Sequence, residues 1–329
     1  MKASERKYPM EILAPAGGKE QLVAAVRGGA DAVYFGVENF NARRNAENFV
    51  SDELSDIVGY LKARNVKSYI TLNTLVKDDE ISEVLKTVEK IARSGADGVI
   101  VQDMGIAALI KKCVPSLSLH ASTQMSIHNI AGVKILEDMQ FSQVVLAREL
   151  SIQEIKKISA SSDIKLETFV HGALCMSISG MCYLSSMIGA RSGNRGQCAQ
   201  PCRLNFSSAD KEYALSLKDM TYIKHLSKLY EAGVTTLKIE GRMKRAEYVA
   251  CAVSALNAAL SGEDFDFDLL RKVFSREGFT DGYLTKRMTR DMFGCRTKQD
   301  VENMQSVLTA SYTHLDVYKR QGNRSAQEK

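Results

Sequence analysis

The chain has 329 residues, of which 45% are hydrophobic and 25% are charged, and its net charge is +5. This composition is ordinary for a globular protein and excludes a disordered chain, a coiled coil and a collagen-like repeat. No apolar stretch reaches the roughly 18 residues that a membrane-spanning helix needs, and no secretory signal is recognisable behind the charged first residues. We therefore expect a cytoplasmic protein that has no membrane partner.

Short apolar runs alternate with longer amphipathic stretches over the first 260 residues. The predicted strands cover residues 11–17, 32–36, 68–73, 98–103, 118–122, 143–147, 166–172 and 236–241. Continuous apolar runs of this length are typical of parallel strands that are buried on both faces. The stretches between them space apolar residues by three or four and stop at glycine, which favours helices.

Eight strands that alternate with helices over roughly 250 residues predict a TIM-like (β/α)8 barrel. A doubly wound open sheet is the alternative, although no GxGxxG motif follows the first strand. We place the barrel domain at residues 8–262. The alternation stops after the seventh strand, where the Gly-, Ser-, Arg- and Cys-rich residues 173–212 are interpreted as an insertion. Loops at the carboxyl ends of barrel strands form active sites, so this insertion is a candidate for function.

The sequence after residue 262 carries too few apolar residues to form a core of its own. Residues 263–308 are interpreted as the start of a C-terminal module that is truncated. Residues 309–329 are polar and aperiodic, and residues 310–321 resemble translated sequencing-adapter read-through. We expect this tail to be non-native or disordered.

Four of the seven cysteines fall within residues 175–202, spaced as Cys175-x6-Cys182-x15-Cys198-x3-Cys202. Clustered cysteines in the reducing cytosol bind metal or take part in chemistry more often than they form disulfides. Four thiolates suit either a zinc ion or a [4Fe–4S] cluster. Structural zinc sites usually contain two closely spaced cysteine pairs, and only Cys198 and Cys202 form such a pair. The uneven spacing therefore favours the cluster, with zinc as the alternative.

Basic residues are concentrated around these cysteines. Residues 186–250 contain eleven Lys and Arg against six Asp and Glu, an excess that equals the net charge of the whole chain. A basic rim would attract carboxylates or a phosphate backbone. The same excess would also compensate the negative charge of a thiolate-bound cluster, so both interpretations stay open.

Polar side chains lie on or just after most of the predicted strands. Since the carboxyl ends of barrel strands face one pocket, these side chains together indicate a site, although each one alone is explained by a structural hydrogen bond. Alternate residues of a strand point the same way, so we expect Glu167 and His171 to share a face. The other candidates are Asn73, Asp103, His120, Gln124, Arg148, Lys238, Glu240 and Arg242.

Two adjacent stretches carry a family resemblance. Residues 167–185 (ETFVHGALCMSISGMCYLS) resemble the signature of the collagenase-like peptidase family U32. Residues 189–203 (GARSGNRGQCAQPCR) are similar to the run that follows that signature. Shorter stretches at 11–17, 41–49 and 237–249 resemble the same family, so the likeness spans about residues 8–295.

This resemblance implies an iron–sulfur protein. Better understood members of the family hold a [4Fe–4S] cluster and support, without molecular oxygen, a prephenate-dependent hydroxylation of pyrimidine C5 in tRNA or ribosomal RNA. The cluster ligands implied here are Cys175, Cys182, Cys198 and Cys202. From their positions, the acid–base candidates are Glu167, His171 and Glu240. The candidates for binding RNA, prephenate or another substrate are Arg43, Asn73, His120, Gln124, Arg148, Lys238 and Arg242.

Two other functions stay open. The family name implies a peptidase, but the chain has no HExxH or GxSxG motif, and cysteines that bind a cluster cannot also act as the nucleophile. Other family members act as pairs in ubiquinone synthesis. The third possibility is therefore a non-catalytic cluster-binding subunit that works with a paralogous partner of the same family.

Overall fold

The eight predicted strands close into a barrel in the computed structural model, which describes residues 5–43, 46–208 and 211–307. The strands of the described sheet are β1 (Glu11–Pro15), β2 (Ala32–Gly36), β3 (Lys67–Leu72), β4 (Gly98–Val101), β5 (Ser118–Ala121), β6 (Gln143–Val145), β7 (Lys165–Ala173), β8 (Asp219–Thr221), β9 (Val234–Ile239) and β10 (Phe279–Thr280). Strands β1 to β7 pair in parallel in chain order, and β9 closes the barrel by pairing with both β7 and β1. The predicted (β/α)8 barrel is confirmed, and the open-sheet alternative is wrong.

The helices follow from the spacing of apolar residues. The described helices are α1 (Lys19–Gly28), α2 (Leu54–Lys62), α3 (Ile81–Ser94), α4 (Met104–Cys113), α5 (Ile130–Asp138), α6 (Ile152–Ser159), α7 (Leu184–Gly189), α8 (Leu226–Glu231), α9 (Ala246–Ser261), α10 (Phe267–Val273) and α11 (Gly282–Thr285). In α3, Val84, Val88 and Ile91 form one buried face, and Gly95 closes the helix in the left-handed conformation. In the described ranges, no helix has both the length and the apolar character needed to cross a bilayer.

Two apolar layers hold the barrel together. The main core lies between the strands and the surrounding helices. A smaller cluster inside the barrel comprises Leu13, Ala32, Tyr34, Tyr69 and Ile100. The inner layer also contains charged side chains, which makes the barrel interior a place for chemistry as well as packing.

Residues 174–218 lie between β7 and β8 and carry the four clustered cysteines. Strand β8 runs antiparallel to the end of β7 and pairs in parallel with β10, so the C-terminal residues attach to the same end of the barrel. Helix α10 packs against α9. The predicted non-native tail, residues 309–329, lies outside the described residues.

Candidate functional site

The four clustered cysteines lie near one another after β7. Burial raises the pKa of the Cys202 thiol; Arg203 opposes this, and the negative charges of Cys175, Cys198 and Cys182 raise the pKa further. Each of the other three thiols is therefore within electrostatic reach of Cys202. All four are free thiols.

Hydrogen bonds bring Cys175 and Cys202 together. The Arg203 guanidinium donates to the Leu174 carbonyl oxygen at 2.5 Å and to the Leu217 carbonyl oxygen at 2.5 Å. One arginine therefore joins the turn that carries Cys202 to the residue that precedes Cys175.

Ser185, three residues after Cys182 and at the start of α7, contacts the turn that carries Cys198. The Ser185 hydroxyl accepts a bond from the Ala199 N–H at 3.1 Å and lies 3.9 Å from the Cys198 sulfur. The Gln200 N–H donates to the same sulfur at 3.3 Å. Backbone N–H donors of this kind stabilise thiolates that bind metal clusters.

Within the described ranges, no three His, Cys, Asp or Glu side chains stand close enough to bind one metal ion. In a four-iron cluster each thiolate binds a different iron, so the four sulfurs stay farther apart than they do around a single zinc ion. Four neighbouring thiols with an N–H donor on one sulfur fit the ligand set of such a cluster.

The cysteine segment covers the carboxyl end of the barrel. Arg195 forms an ion pair with Glu80 and donates to the Leu75 carbonyl oxygen at 2.7 Å, which ties the segment to the connection after β3. Gly180 has a φ of +79°, and a Cβ there would lie 2.4 Å from the Gln124 carbonyl oxygen. Only glycine permits this close approach without a backbone shift.

Glu240 lies between two arginines beneath this segment. Its carboxylate contacts Arg43 at 3.0 Å and Arg148 at 3.2 Å. Burial alone would raise the pKa of Glu240, but Arg43 and Arg148 lower it to about 2. Glu240 is therefore an ionised acceptor at neutral pH. Arg43 is also within electrostatic reach of Cys198, which connects this cluster of charges to the cysteines.

Hydrogen bonds extend this group of charged side chains into a network across the carboxyl end of the barrel. The Arg242 guanidinium donates to the Asn41 amide oxygen at 3.2 Å and to the Thr71 hydroxyl at 3.0 Å. Asn41 also accepts from the backbone N–H of Arg43 at 2.9 Å. Burial lowers the pKa of Arg242 to about 10, which leaves it cationic at neutral pH.

Two further candidates from the sequence join the same network. The Asn73 amide oxygen accepts from the Ala42 N–H at 3.0 Å, and the Gln124 amide donates to the Asn73 carbonyl oxygen at 2.9 Å. The structure therefore brings together six predicted residues, namely Arg43, Asn73, Gln124, Arg148, Glu240 and Arg242.

A second buried ion pair lies deeper in the barrel. Lys238 Nζ is 2.6 Å from Glu167 Oε1, and both side chains are almost completely buried. Gln143 donates to the other oxygen of Glu167. Burial lowers the pKa of Lys238, and the charge of Glu167 opposes that effect. The two side chains are therefore in direct contact inside the barrel.

The two predicted histidines lie outside the network. The His120 ring packs on Tyr69 with 4.4 Å between centroids, and the His171 ring packs on Tyr248 at 5.5 Å and Phe279 at 5.3 Å. Within the described residues, neither nitrogen of His171 has a hydrogen-bond partner. The pairing of β7 with β9 shifts register between Phe169 and His171. Glu167 and His171 consequently have different neighbours, although we expected them to share a face.

Three residues of this region, Asn41, Tyr34 and Thr71, are not among the site candidates predicted from the sequence. Asn41 lies in the family-like stretch 41–49, which was a signal for it. Tyr34 donates its hydroxyl to the Ile239 carbonyl oxygen at 2.9 Å, and Lys238 lies 4.4 Å from the centre of its ring. Tyr34 and Thr71 lie within apolar strand runs, where no local pattern distinguishes them from core residues.

Comparisons with known proteins identify the same family that the cysteine-rich stretches resemble. The model of peptidase family U32 matches residues 17–293. The chain is 40% identical over 250 residues to the 23S rRNA 5-hydroxycytidine C2501 synthase of Escherichia coli (strain K12), covering 74% of this chain and 38% of that protein. It is 36% identical over 258 residues to tRNA hydroxylation protein P1 of Bacillus subtilis (strain 168), covering 74% and 61%. It is 35% identical over 307 residues to a collagenase of Porphyromonas gingivalis, covering 83% and 73%.

A solved structure of a U32 peptidase shares the fold, with a TM-score of 0.51 and 13% identity over 70% of this chain and 93% of that chain. The chain spans 38% of the length of the Escherichia coli relative and 61% of that of the Bacillus subtilis relative. The family match covers most of the chain, including the four clustered cysteines. The resemblance seen in the sequence is confirmed, and the chain belongs to peptidase family U32.

Proposed function

We propose that this protein supports hydroxylation of RNA at C5 of a pyrimidine, in tRNA or ribosomal RNA, with prephenate as co-substrate and a [4Fe–4S] cluster as cofactor. The observation that carries the proposal is the group of four free, neighbouring thiols above a charged network at the carboxyl end of the barrel. Relatives at 40% and 36% identity are named for RNA hydroxylation. The cluster, once bound by Cys175, Cys182, Cys198 and Cys202, would supply one-electron redox chemistry.

The protein's own residues would bind and orient the substrates. Arg242 is cationic, buried and, among the described residues, has no carboxylate partner, so it is the best candidate to hold a carboxylate of prephenate. Glu240 is ionised and would accept a hydrogen bond from a substrate hydroxyl. The Glu167–Lys238 pair would hold or move a proton. A pyrimidine would have to leave its stack to reach this depth.

Anaerobic purification tests the cofactor. We expect a brown protein with about four irons and four sulfides per chain, and we expect Cys202→Ser to lose most of this iron. Cys113→Ser is the matched control, because Cys113 is an exposed cysteine outside the cluster of four. A colourless protein that contains one zinc ion would contradict the proposal.

Mass spectrometry of digested RNA tests the reaction. Deletion of the gene is expected to remove one hydroxylated pyrimidine, which the wild-type gene restores and the Cys202→Ser gene does not. An unchanged nucleoside profile after deletion would show that the protein does not support this modification. Copurification with a paralogue, together with inactivity of the isolated chain, would instead identify a non-catalytic subunit.

A peptidase is the second candidate, because the collagenase relative aligns over 83% of this chain. Two serines in the cysteine segment are the possible nucleophiles. The Ser179 hydroxyl contacts the Glu149 carboxylate at 3.3 Å, and Ser185 contacts Ala199 and Cys198. Among the described residues, neither serine is hydrogen-bonded to a histidine base. Cleavage of gelatin that Ser179→Ala abolishes would support this candidate over the first.

A further inference from the structure

A cavity of about 530 Å³ lies beside the cysteine segment and outside the barrel. Its walls are the turn after Cys202, residues 243–248 at the start of α9, and parts of residues 273–307. None of the site residues predicted from the sequence lines it. Its volume falls within the range of about 300–1,000 Å³ that is usual for small-molecule sites.

Basic side chains dominate the wall of this cavity. The lining includes one carboxylate, that of Glu247, and the five cations Arg203, Lys244, Arg245, Arg276 and Arg296. Asp219 lies next to the cavity and pairs with Arg276 at 2.7 Å. In the described part of the chain, Lys244, Arg245 and Arg296 form no ion pair. The cavity therefore holds an excess of positive charge.

Three of the cations converge on one aromatic ring. Lys244 Nζ lies 2.9 Å from the centre of the Phe274 ring, and the guanidinium carbons of Arg296 and Arg276 lie 4.6 Å and 5.2 Å from it. The face of an aromatic ring attracts a cation, but it does not remove the repulsion between three cations. Burial lowers the pKa of Lys244 to about 7, and Arg276 and Arg296 lower it as well while Asp219 opposes them. A counter-ion would relieve this repulsion.

We infer that this cavity binds a small polyanion, a molecule with two or more carboxylate or phosphate groups, through Lys244, Arg276 and Arg296. Guanidinium groups bind carboxylates and phosphates through two parallel hydrogen bonds, and the lysine adds a compact charge. The cations surround one concave space, which suits a small molecule better than the extended backbone of RNA. The inference does not depend on the proposed hydroxylation.

Isothermal titration calorimetry in a low-salt buffer tests the inference, with citrate and pyrophosphate as two separate probes. We expect at least one probe to bind the full-length protein, and Arg296→Gln and Lys244→Gln each to weaken that binding at least tenfold. The probe with the higher affinity shows whether the site prefers carboxylates or phosphates. Arg296 is exposed, so its replacement leaves the core intact.

Lys272→Gln is the matched control, because Lys272 is an exposed lysine on α10 that does not line the cavity. Its affinity for the probe is expected to equal that of the wild type. The inference is overturned if neither probe binds, or if Arg296→Gln and Lys244→Gln bind as tightly as the control. If neither probe binds but Arg296→Gln weakens the binding of a single-stranded RNA oligonucleotide, the cavity is part of an RNA-binding surface instead. Circular dichroism of each variant verifies that it is folded.

Discussion

The two buried histidines show how burial decides the charge of a side chain. Burial lowers the pKa of both His120 and His171 to about 3 from a usual value of 6.5, so both rings are neutral at neutral pH. The acid–base role assigned to His171 stays a prediction. That role would require a substrate group to reach the His171 ring nitrogens, which have no hydrogen-bond partner among the described residues, between Tyr248 and Phe279.

The same burial predicts a dependence of stability on pH. An unfolded imidazole takes up a proton near pH 6.5, whereas the folded protein keeps both rings neutral down to about pH 3. The unfolded state therefore binds more protons in this interval, and the free energy of unfolding falls as pH decreases from about 6.5 to 3. We expect His171→Leu to reduce this slope, measured by urea denaturation at several pH values.

His128→Gln is the control for this experiment, because His128 is exposed. Its slope is expected to match that of the wild type. Equal slopes for His171→Leu and His128→Gln would show that the buried ring does not set the acid response.

Among the strand pairs, β7 and β9 complete the barrel, since β9 pairs with both β7 and β1. Their pairing contains two register shifts, one between Leu166 and Glu167 and one between Phe169 and His171. The ion pair between Glu167 and Lys238 spans these strands inside the barrel. A buried ion pair therefore connects β7 and β9 where their backbone pairing is irregular.

Replacing one partner of this ion pair is expected to lower the free energy of unfolding. Glu167→Gln removes the counter-charge of Lys238 in a fully buried position, and such a loss typically destabilises a protein by about 3–5 kcal/mol. Urea denaturation at neutral pH measures the change in the free energy of unfolding. Glu137→Gln is the control, since Glu137 pairs with Lys134 on the surface, and surface pairs contribute little. Similar losses for both variants would contradict this prediction.

At the scale of the whole molecule, residues 263–307 pack against the barrel. Phe274 and Phe279 contact the aromatic rings of Tyr248 and His171, and Leu217 forms a bridge with Phe293. These contacts bury the end of β7 and build one wall of the cationic cavity. We therefore expect residues 263–307 to contribute to the stability of the barrel.

Truncation tests this contribution. A chain that ends after residue 262 keeps all eight barrel strands but exposes Tyr248 and His171, because Phe274 and Phe279 are removed. We expect circular dichroism to retain most of the helical and strand signal, and the melting temperature to fall by several degrees. A chain that ends after residue 307 is the control, and it should melt close to the full-length chain. A melting temperature unchanged by the shorter truncation product would argue that residues 263–307 do not stabilise the barrel.

The order of strands and helices, the barrel, the grouping of four cysteines and the family could be predicted from the amino-acid sequence, because each depends on local periodicity, glycine positions or short spacing. Which polar residues come into contact could not be predicted in this way, because it depends on the folded chain. Asn41 and Arg242 come together because the barrel closes through β9, and the register shift in β7 separates the surroundings of Glu167 and His171. The cationic cavity combines Lys244 with residues more than thirty positions away. No local pattern predicts such a meeting, because it depends on how residues 273–307 pack on α9.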